Sequence, residues 1–270
     1  MVRKCRSYIK GGKLKKVILR LKMDLEILEK IEDNTTSKPT YLIVLSGVGS
    51  RLDAVFSPPL DLLNCKYELA LASIETYRSF PNIDLSNNQL KVRVNGEWET
   101  ILIPTGSYDL PDISKEIQRQ IQEKGGKSNM VTLTPNMNTL KCIMTIIGAE
   151  VDLRGERSIR EVLGFQPEIY KTGRNESQKV VNIIRVNSIL VHCSVIGQSY
   201  LNGSPEPIIY SFFPNALVGE KIVERPNTLI YLPIALDIIP RLTCYLTDQH
   251  QKPLDLREEE LTVKFHLRAR

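Results

Sequence analysis

Short runs of β-branched and aromatic residues, separated by turn residues, fill most of this 270-residue sequence. They begin near residue 40, and pairs such as Asn202-Gly203 and Pro226-Asn227 punctuate them at short intervals. Roughly eleven to thirteen such runs are present, a pattern typical of short strands joined by tight turns. Many short strands with few helices indicate a β-sandwich or barrel and argue against alternating βαβ units.

Two segments of this β-rich region carry a helical pattern instead. In "DLPDISKEIQRQIQEKGG", Ile113, Ile117 and Ile121 form one apolar stripe, and two glycines end it. In "SIREVLGF", Ser158 and Glu161 have the spacing of a capping box. We therefore predict two short helical insertions in an all-β body.

Two strand patterns allow predictions of register. "YELALASIETY" alternates, which predicts Leu71 and Glu75 on one face of its strand. "QLKVRVNGEWETIL" reads as a hairpin, and a two-residue Asn-Gly turn would place Glu97 opposite Val94. A three-residue, bulged loop would pair Trp98 with Val94 and keep the acids away from the valines, so we predict the longer loop.

Charge divides the chain into two parts. The sequence holds 36 basic and 31 acidic residues, and nine of the basic ones lie within residues 1–22, which contain no acid. Leucines, a valine and an isoleucine recur there at helical spacing, and Pro39 closes a polar linker. We therefore predict a basic, partly helical N-terminal arm and linker over 1–39 and a β-sandwich body over 40–270.

Basic arms often contact nucleic acid. The candidate DNA contacts within the arm are Lys10, Lys13, Lys15, Lys16 and Arg20. The alternative is a solvated, partly helical tail without a partner.

No arrangement of residues in the sequence predicts catalysis or metal binding. The five cysteines are scattered without C-x-x-C spacing, which argues against a disulfide framework and a zinc site and favours a reducing compartment, the cytosol or nucleus. His192 and Cys193 are neighbours on a predicted strand, so their side chains point to opposite faces and cannot form a couple. His266 alternates with Phe265 and Leu267 in "KFHLR", so we predict that it faces outward from a last strand. No catalytic residue, cofactor site or metal site is predicted, and no apolar run reaches the roughly 18 residues of a membrane span.

Seven blocks of the sequence, occurring in a fixed order across residues 52–270, resemble a known family. The resemblance is to the minor capsid (penton) proteins of Polinton, or Maverick, elements, which are virus-like DNA transposons. The blocks are "VFSPPLDL", "YELALASIETYRSFPNI", "ILIPTGSYDLPDISKEI", "SIREVLGF", "VNIIRVNSILVHCSVIGQSYLNG", "IIYSFFPNALVGEKIVERPNTLIYLPI" and "LTDQHQKPLDLREEELTVKFHLR".

This resemblance implies a jelly-roll β-sandwich that forms the pentameric vertices of an icosahedral shell. Its implied partners are further copies of itself and a double jelly-roll major capsid protein, and its implied location is the virion, or the interior of the cell after synthesis. The resemblance does not extend to the arm. Two alternatives stay open: a compact double jelly-roll major capsid protein, and a domesticated, non-enzymatic binding module.

Aromatic residues close the strand pattern at 67–77. Because a shell protein works through its surfaces, Tyr77 and Phe80 are candidate subunit contacts. The alternative is that both fill the core of their own chain.

Overall fold

A computed structural model describes residues 39–63, 65–197 and 199–270 of the chain. Eighteen strands, two α-helices and one 3-10 turn (Ser128–Met130) lie in these ranges. In chain order the elements are β1 (Thr40–Val48), β2 (Arg51–Asp61), β3 (Tyr67–Tyr77), β4 (Gln89–Val94), β5 (Glu97–Leu102), α1 (Leu110–Glu123), β6 (Val131–Asn136), β7 (Lys141–Ile146), β8 (Val151–Asp152), α2 (Arg160–Leu163), β9 (Ile169–Tyr170), β10 (Gly173–Val180), β11 (Ile189–Cys193), β12 (Tyr200–Leu201), β13 (Ser204–Pro205), β14 (Ile208–Phe212), β15 (Lys221–Glu224), β16 (Leu232–Pro233), β17 (Ile238–Thr247) and β18 (Glu260–Ala269).

Eight of these strands form two facing antiparallel sheets. The first has the order β1-β18-β3-β15, with β16 also paired to β3, and the second has the order β14-β11-β17-β2. Lettered B to I along the chain, the eight strands read B-I-D-G and F-E-H-C. This alternation between the two sheets is that of a jelly roll. The predicted all-β jelly-roll sandwich with two short helical insertions is confirmed; the predicted N-terminal helical arm lies outside the described residues.

The core of the roll lies between the two sheets. Along β18, Leu261, Val263, Phe265 and Leu267 point inward and are fully buried, whereas the residues between them face outward. This period of two is what a strand with one buried face requires. Side chains from both sheets join them in one apolar cluster.

A bulge corrects the predicted alternation of β3. Leu71 pairs with Phe265, but the next pair is Ser73 with Lys264, so Ala72 is an extra residue on β3. An extra residue exchanges the faces of all residues that follow it. Glu75 is therefore on the outer face, opposite to the face that holds Leu71, and the predicted shared face is wrong.

Residues 78–188 form an insertion between β3 and β11 with an apolar core of its own. Two small sheets, β5-β4-β8-β9 and β10-β7-β6, make up most of it. The predicted stripe of α1 (Ile113, Ile117 and Ile121) is fully buried in this core. The Gln120 amide bonds the backbone of Leu102 on β5, and the Ser114 hydroxyl accepts from the backbone N–H of Leu133 on β6. The helix thus joins the two small sheets.

The hairpin of β4 and β5 differs from the predicted one. Its turn has two residues, Asn95 (φ 51°) and Gly96 (φ 95°), and Val94 pairs directly with Glu97. Positive φ at both turn residues is what a type I′ turn needs, and Asn-Gly favours it. Glu97 remains exposed at the edge of its sheet, and Glu99 receives an ion pair from Lys124 (2.8 Å) at the end of α1. The acids therefore avoid burial in spite of the short turn.

Helix α2 is short and ends at Gly164, which has a φ of 80°. A Cβ at this position would lie 2.3 Å from the backbone oxygen of Lys179, so the position requires glycine for two reasons. The predicted capping box is absent: the N-cap is Ile159, and the Ser158 hydroxyl accepts a hydrogen bond from the N–H of Arg160 (3.3 Å).

Candidate functional site

The two predicted contact residues lie where the chain leaves the roll for the insertion. Tyr77 is the last residue of β3 and is half-buried, paired with Lys221. Phe80 is 8% exposed and belongs to the core of the roll. The burial of Phe80 favours the alternative in which it fills its own core. Subunit contact through these two residues stays a prediction.

A buried asparagine holds this junction together. The side-chain amide of Asn82 donates to the carbonyl oxygens of Tyr108 (2.7 Å) and Ile183 (3.1 Å), and its oxygen accepts from the N–H of Tyr108 (2.9 Å). These bonds join the outgoing segment of the insertion to the returning one. Asn82 thus fixes how the insertion meets the roll.

Charged residues surround the same junction. Arg185 binds Asp84 (3.2 Å), and the Gln249 amide, from the loop after β17, donates to the Arg185 carbonyl (2.9 Å). Burial alone would raise the pKa of the Asp84 carboxyl, but hydrogen bonds from Ser86 and the charge of Arg185 together hold that pKa below its ordinary value. The carboxylate therefore stays ionised in this half-buried position.

An open cleft of about 420 Å³ lies beside these groups, between the insertion and the loop after β17. Its charged lining consists of Asp84, Arg185, Asp248, Lys252 and Asp255. A second cleft, of about 660 Å³, lies at the tip of the insertion among several glycines. Both volumes are in the range of small-molecule sites. In the part of the chain that the structure describes, no group of histidine, cysteine or acidic side chains is arranged to hold a metal ion.

The outer face of the first sheet carries paired charges across β3, β15 and β18. Glu75 contacts Lys221 (2.7 Å) and Lys264 (3.6 Å), and the hydrogen bond from Lys221 is the main cause that lowers the pKa of Glu75. Farther along the sheet, Glu68 contacts Arg268 (3.2 Å). Exposed ion pairs of this kind contribute little stability, so they mainly keep this face soluble.

His266 and Tyr231 lie on the same outer face. The Tyr231 hydroxyl is 2.7 Å from Nδ1 of His266, and the Arg268 guanidinium lies 3.4 Å from the centre of the Tyr231 ring. The prediction that His266 faces outward from the last strand is confirmed. Tyr231 lies in an irregular segment directly before β16, and the strand-like pattern around it in the sequence gave no sign of this contact.

His192 and Cys193 lie on opposite faces of β11, as predicted. Cys193 is in the core of the roll, where burial raises the pKa of its thiol to about 12. Nε2 of His192 is 2.9 Å from the Thr247 hydroxyl, and its ring stacks on Tyr245 (4.4 Å between centres). Its Nδ1 has no hydrogen-bond partner among the described residues. Burial lowers the pKa of His192, against the opposing charge of Glu206. The ring is therefore a neutral packing residue.

The candidate DNA contacts Lys10, Lys13, Lys15, Lys16 and Arg20 lie outside the described residues. Within the described ranges, no helix combines the length and apolarity needed to cross a membrane.

No protein-family model and no curated protein matches the sequence. Among the solved structures that match is the crystal structure of the selenomethionine-labelled mavirus penton protein. The identity is 10%, the TM-score is 0.46, and the match covers 86% of this chain and 100% of that one. A likeness this distant carries no weight for function, and the order of the strands is what establishes the jelly roll.

Proposed function

We propose that this protein is a structural subunit of a viral or virus-like capsid, and specifically the penton subunit at the vertices of a shell encoded by a Polinton-like element. The observation that carries the proposal is the complete eight-strand roll of a single chain, in the order B-I-D-G and F-E-H-C. The ordered sequence resemblance across residues 52–270 supports the same function.

The insertion favours the vertex subunit over a double jelly-roll major capsid protein. A second roll would need eight more strands in two facing four-stranded sheets. The described residues between β3 and β11 instead form two small sheets joined by α1, around a separate core. The described residues therefore contain one jelly roll with an insertion, which is the architecture expected of a single-roll subunit.

Five copies of the chain would form the proposed vertex, surrounded by a double jelly-roll major capsid protein, inside a virion. Because one fold serves many functions, assembly itself has to be measured. Static light scattering on the purified full-length chain should give a mass of about 154 kDa, five times 30.7 kDa, and electron microscopy should show five-fold rings. Co-expression with the element's major capsid protein should place these rings at vertices.

A domesticated binding module is the second candidate, favoured by the charged cleft beside Asp84 and Arg185. Such a module has no need to assemble. A chain that stays monomeric at all concentrations, alone and with the major capsid protein, would support the module and contradict the capsid subunit. We do not propose an enzymatic activity.

The basic arm is proposed to contact packaged DNA. Each phosphate contact that is lost should reduce the slope of log affinity against log salt by about 0.7–0.9. The variant to test replaces Lys10, Lys13, Lys15, Lys16 and Arg20 with glutamine. Fluorescence anisotropy with a DNA duplex should show weaker binding and a shallower salt slope for this variant. Equal salt slopes for the wild type and the variant would contradict the proposed DNA contact and would support a tail without a partner.

A further inference from the structure

Strand β1 forms an edge of the first sheet and has no charged residue and no proline among its nine residues. Its outward side chains include Leu42, Val44 and Val48, which are 64%, 52% and 61% exposed. A long, uncharged, apolar edge is a template for pairing with another strand. It is also a surface that soluble proteins normally avoid.

The backbone of β1 offers hydrogen bonds on its free side. The N–H of Ala269 donates to the carbonyl of Pro39, and the N–H of Gly49 donates to the carbonyl of Glu259. Residues 39 and 269, and likewise residues 49 and 259, are therefore hydrogen-bonded pairs that continue the β1–β18 ladder. Because such pairs alternate along an antiparallel ladder, odd-numbered residues of β1 face β18 and even-numbered residues face away from it. Residues 40, 42, 44, 46 and 48 therefore direct five N–H and five C=O groups to an edge on which no described strand pairs.

The three other edges of the roll carry features that oppose pairing. Strand β2 contains Arg51, Asp53 and two consecutive prolines. Strand β15 has four residues, including Lys221 and Glu224. Strand β14 has five residues and lies between two prolines. Short length, charge and proline are the usual means by which proteins block edge-to-edge contact. Only β1, among the four edges of the described roll, lacks all of them.

We propose that β1 is an interface between two copies of this chain, formed by antiparallel pairing of β1 with β1 of the second copy. Length favours this occupant, because β14 and β15 would satisfy only about half of the edge and β2 is interrupted by prolines. Charge favours it as well, since an uncharged strand meets no like charge when it pairs with itself. This contact goes beyond the proposed function and does not depend on it.

The register follows from complete overlap of the two strands. Pairing all nine residues places the two-fold axis at Val44, so that Val44 lies opposite Val44 of the second copy and Leu42 lies opposite Ser46. Any other register shortens the ladder. The two first sheets then form one continuous sheet across the dimer.

The axis at Val44 permits a charge-exchange experiment on the full-length chain. Val44→Lys and Val44→Glu each place two like charges directly opposite one another, which is destabilising for a strand pair. Each variant alone should raise the dissociation constant of the dimer by at least about tenfold, because like charges juxtaposed across an interface repel strongly. An equimolar mixture of the two places opposite charges together and should restore the dimer. Val55→Lys, at an exposed valine of β2, is the matched control and should leave the dimer unchanged.

Sedimentation velocity of each variant distinguishes the outcomes, and circular dichroism checks that each is folded. Loss of the two-copy species in both single variants, or of larger species in which this contact links five-copy rings, with its return in the mixture, supports the contact. A two-copy species that survives in Val44→Lys overturns it. A five-copy species that is the same in wild type and Val44→Lys, without a two-copy species, overturns the β1 contact and leaves the proposed function intact. A monomeric wild type also overturns it, and protection of its Leu42 and Val44 amides from hydrogen exchange would show that the edge is covered within one chain.

Discussion

Replacing Asn82 with alanine tests whether the junction couples the roll to its insertion. The change removes three hydrogen bonds, to the carbonyls of Tyr108 and Ile183 and from the N–H of Tyr108, at a residue that is 8% exposed. Each such bond contributes about 1 kcal/mol net, and buried partners left without one cost at least as much. We therefore expect the free energy of unfolding to fall by about 3 kcal/mol.

Urea unfolding followed by fluorescence and circular dichroism measures this loss. The two cores are separate clusters on either side of the junction. We therefore also expect the wild type to unfold in one transition and Asn82→Ala to unfold in two. Asn138→Ala, at an exposed turn of the insertion, is the matched control and should change stability by less than about 0.5 kcal/mol. A loss below about 1 kcal/mol for Asn82→Ala, with a single transition, would refute the coupling.

Three further changes test the roll and the insertion. Gly164→Ala should lower the free energy of unfolding by at least about 2 kcal/mol in urea, because it combines a positive φ with a Cβ against a backbone oxygen, whereas Gly155→Ala meets no atom and should be nearly neutral. Phe265→Ala should cost about 3–5 kcal/mol in the same assay through the cavity it leaves, and Lys264→Ala, on the outer face, should cost far less. Burial lowers the pKa of His192 below its ordinary value of about 6.5, so as the pH falls the unfolded chain binds a proton before the folded protein does. Neutral His192 should therefore contribute fully to stability above a pH of about 6.5, and this contribution should be lost as the pH falls below that value. His192→Asn should flatten that part of the stability–pH curve, and an unchanged curve would contradict the assignment.

Elements with a strong and uninterrupted period could be predicted from the sequence. The stripe of Ile113, Ile117 and Ile121 gave α1 and its buried face, and the alternation around Phe265 gave β18. In both elements every apolar side chain indicates the same buried face, so misjudging one residue does not change the predicted face.

Register could not be predicted where one residue changes it. The extra Ala72 on β3 reverses the faces of the residues after it, and nothing in "LALAS" marks a bulge. At the β4–β5 hairpin the two-residue turn does place acids opposite valines, but neither acid is buried, since Lys124 pairs with Glu99 and Glu97 is exposed. Both errors arise because the faces of a strand depend on elements distant in sequence.

Candidate contact residues were the least predictable part. An aromatic residue at the end of a strand looks the same whether it fills a core or meets a neighbour, and Phe80 lies in the core. Whether a strand lies at the edge of a sheet also cannot be predicted before the strand order is known. The uncharged run of β1 became informative only once the topology placed it at the edge of the sheet.

The position of β18 between β1 and β3 affects the order in which the protein can fold during synthesis. Both neighbours are made long before residues 260–269, so β1 cannot join the first sheet until these residues have left the ribosome. The insertion has no such constraint, since its core uses residues 83–170 and nearby positions. Contacts local in sequence form sooner than those between distant strands. The nascent chain should therefore carry a folded insertion between unpaired strands, and the exposed apolar faces of β1 and β3 in that state are where chaperones would be needed.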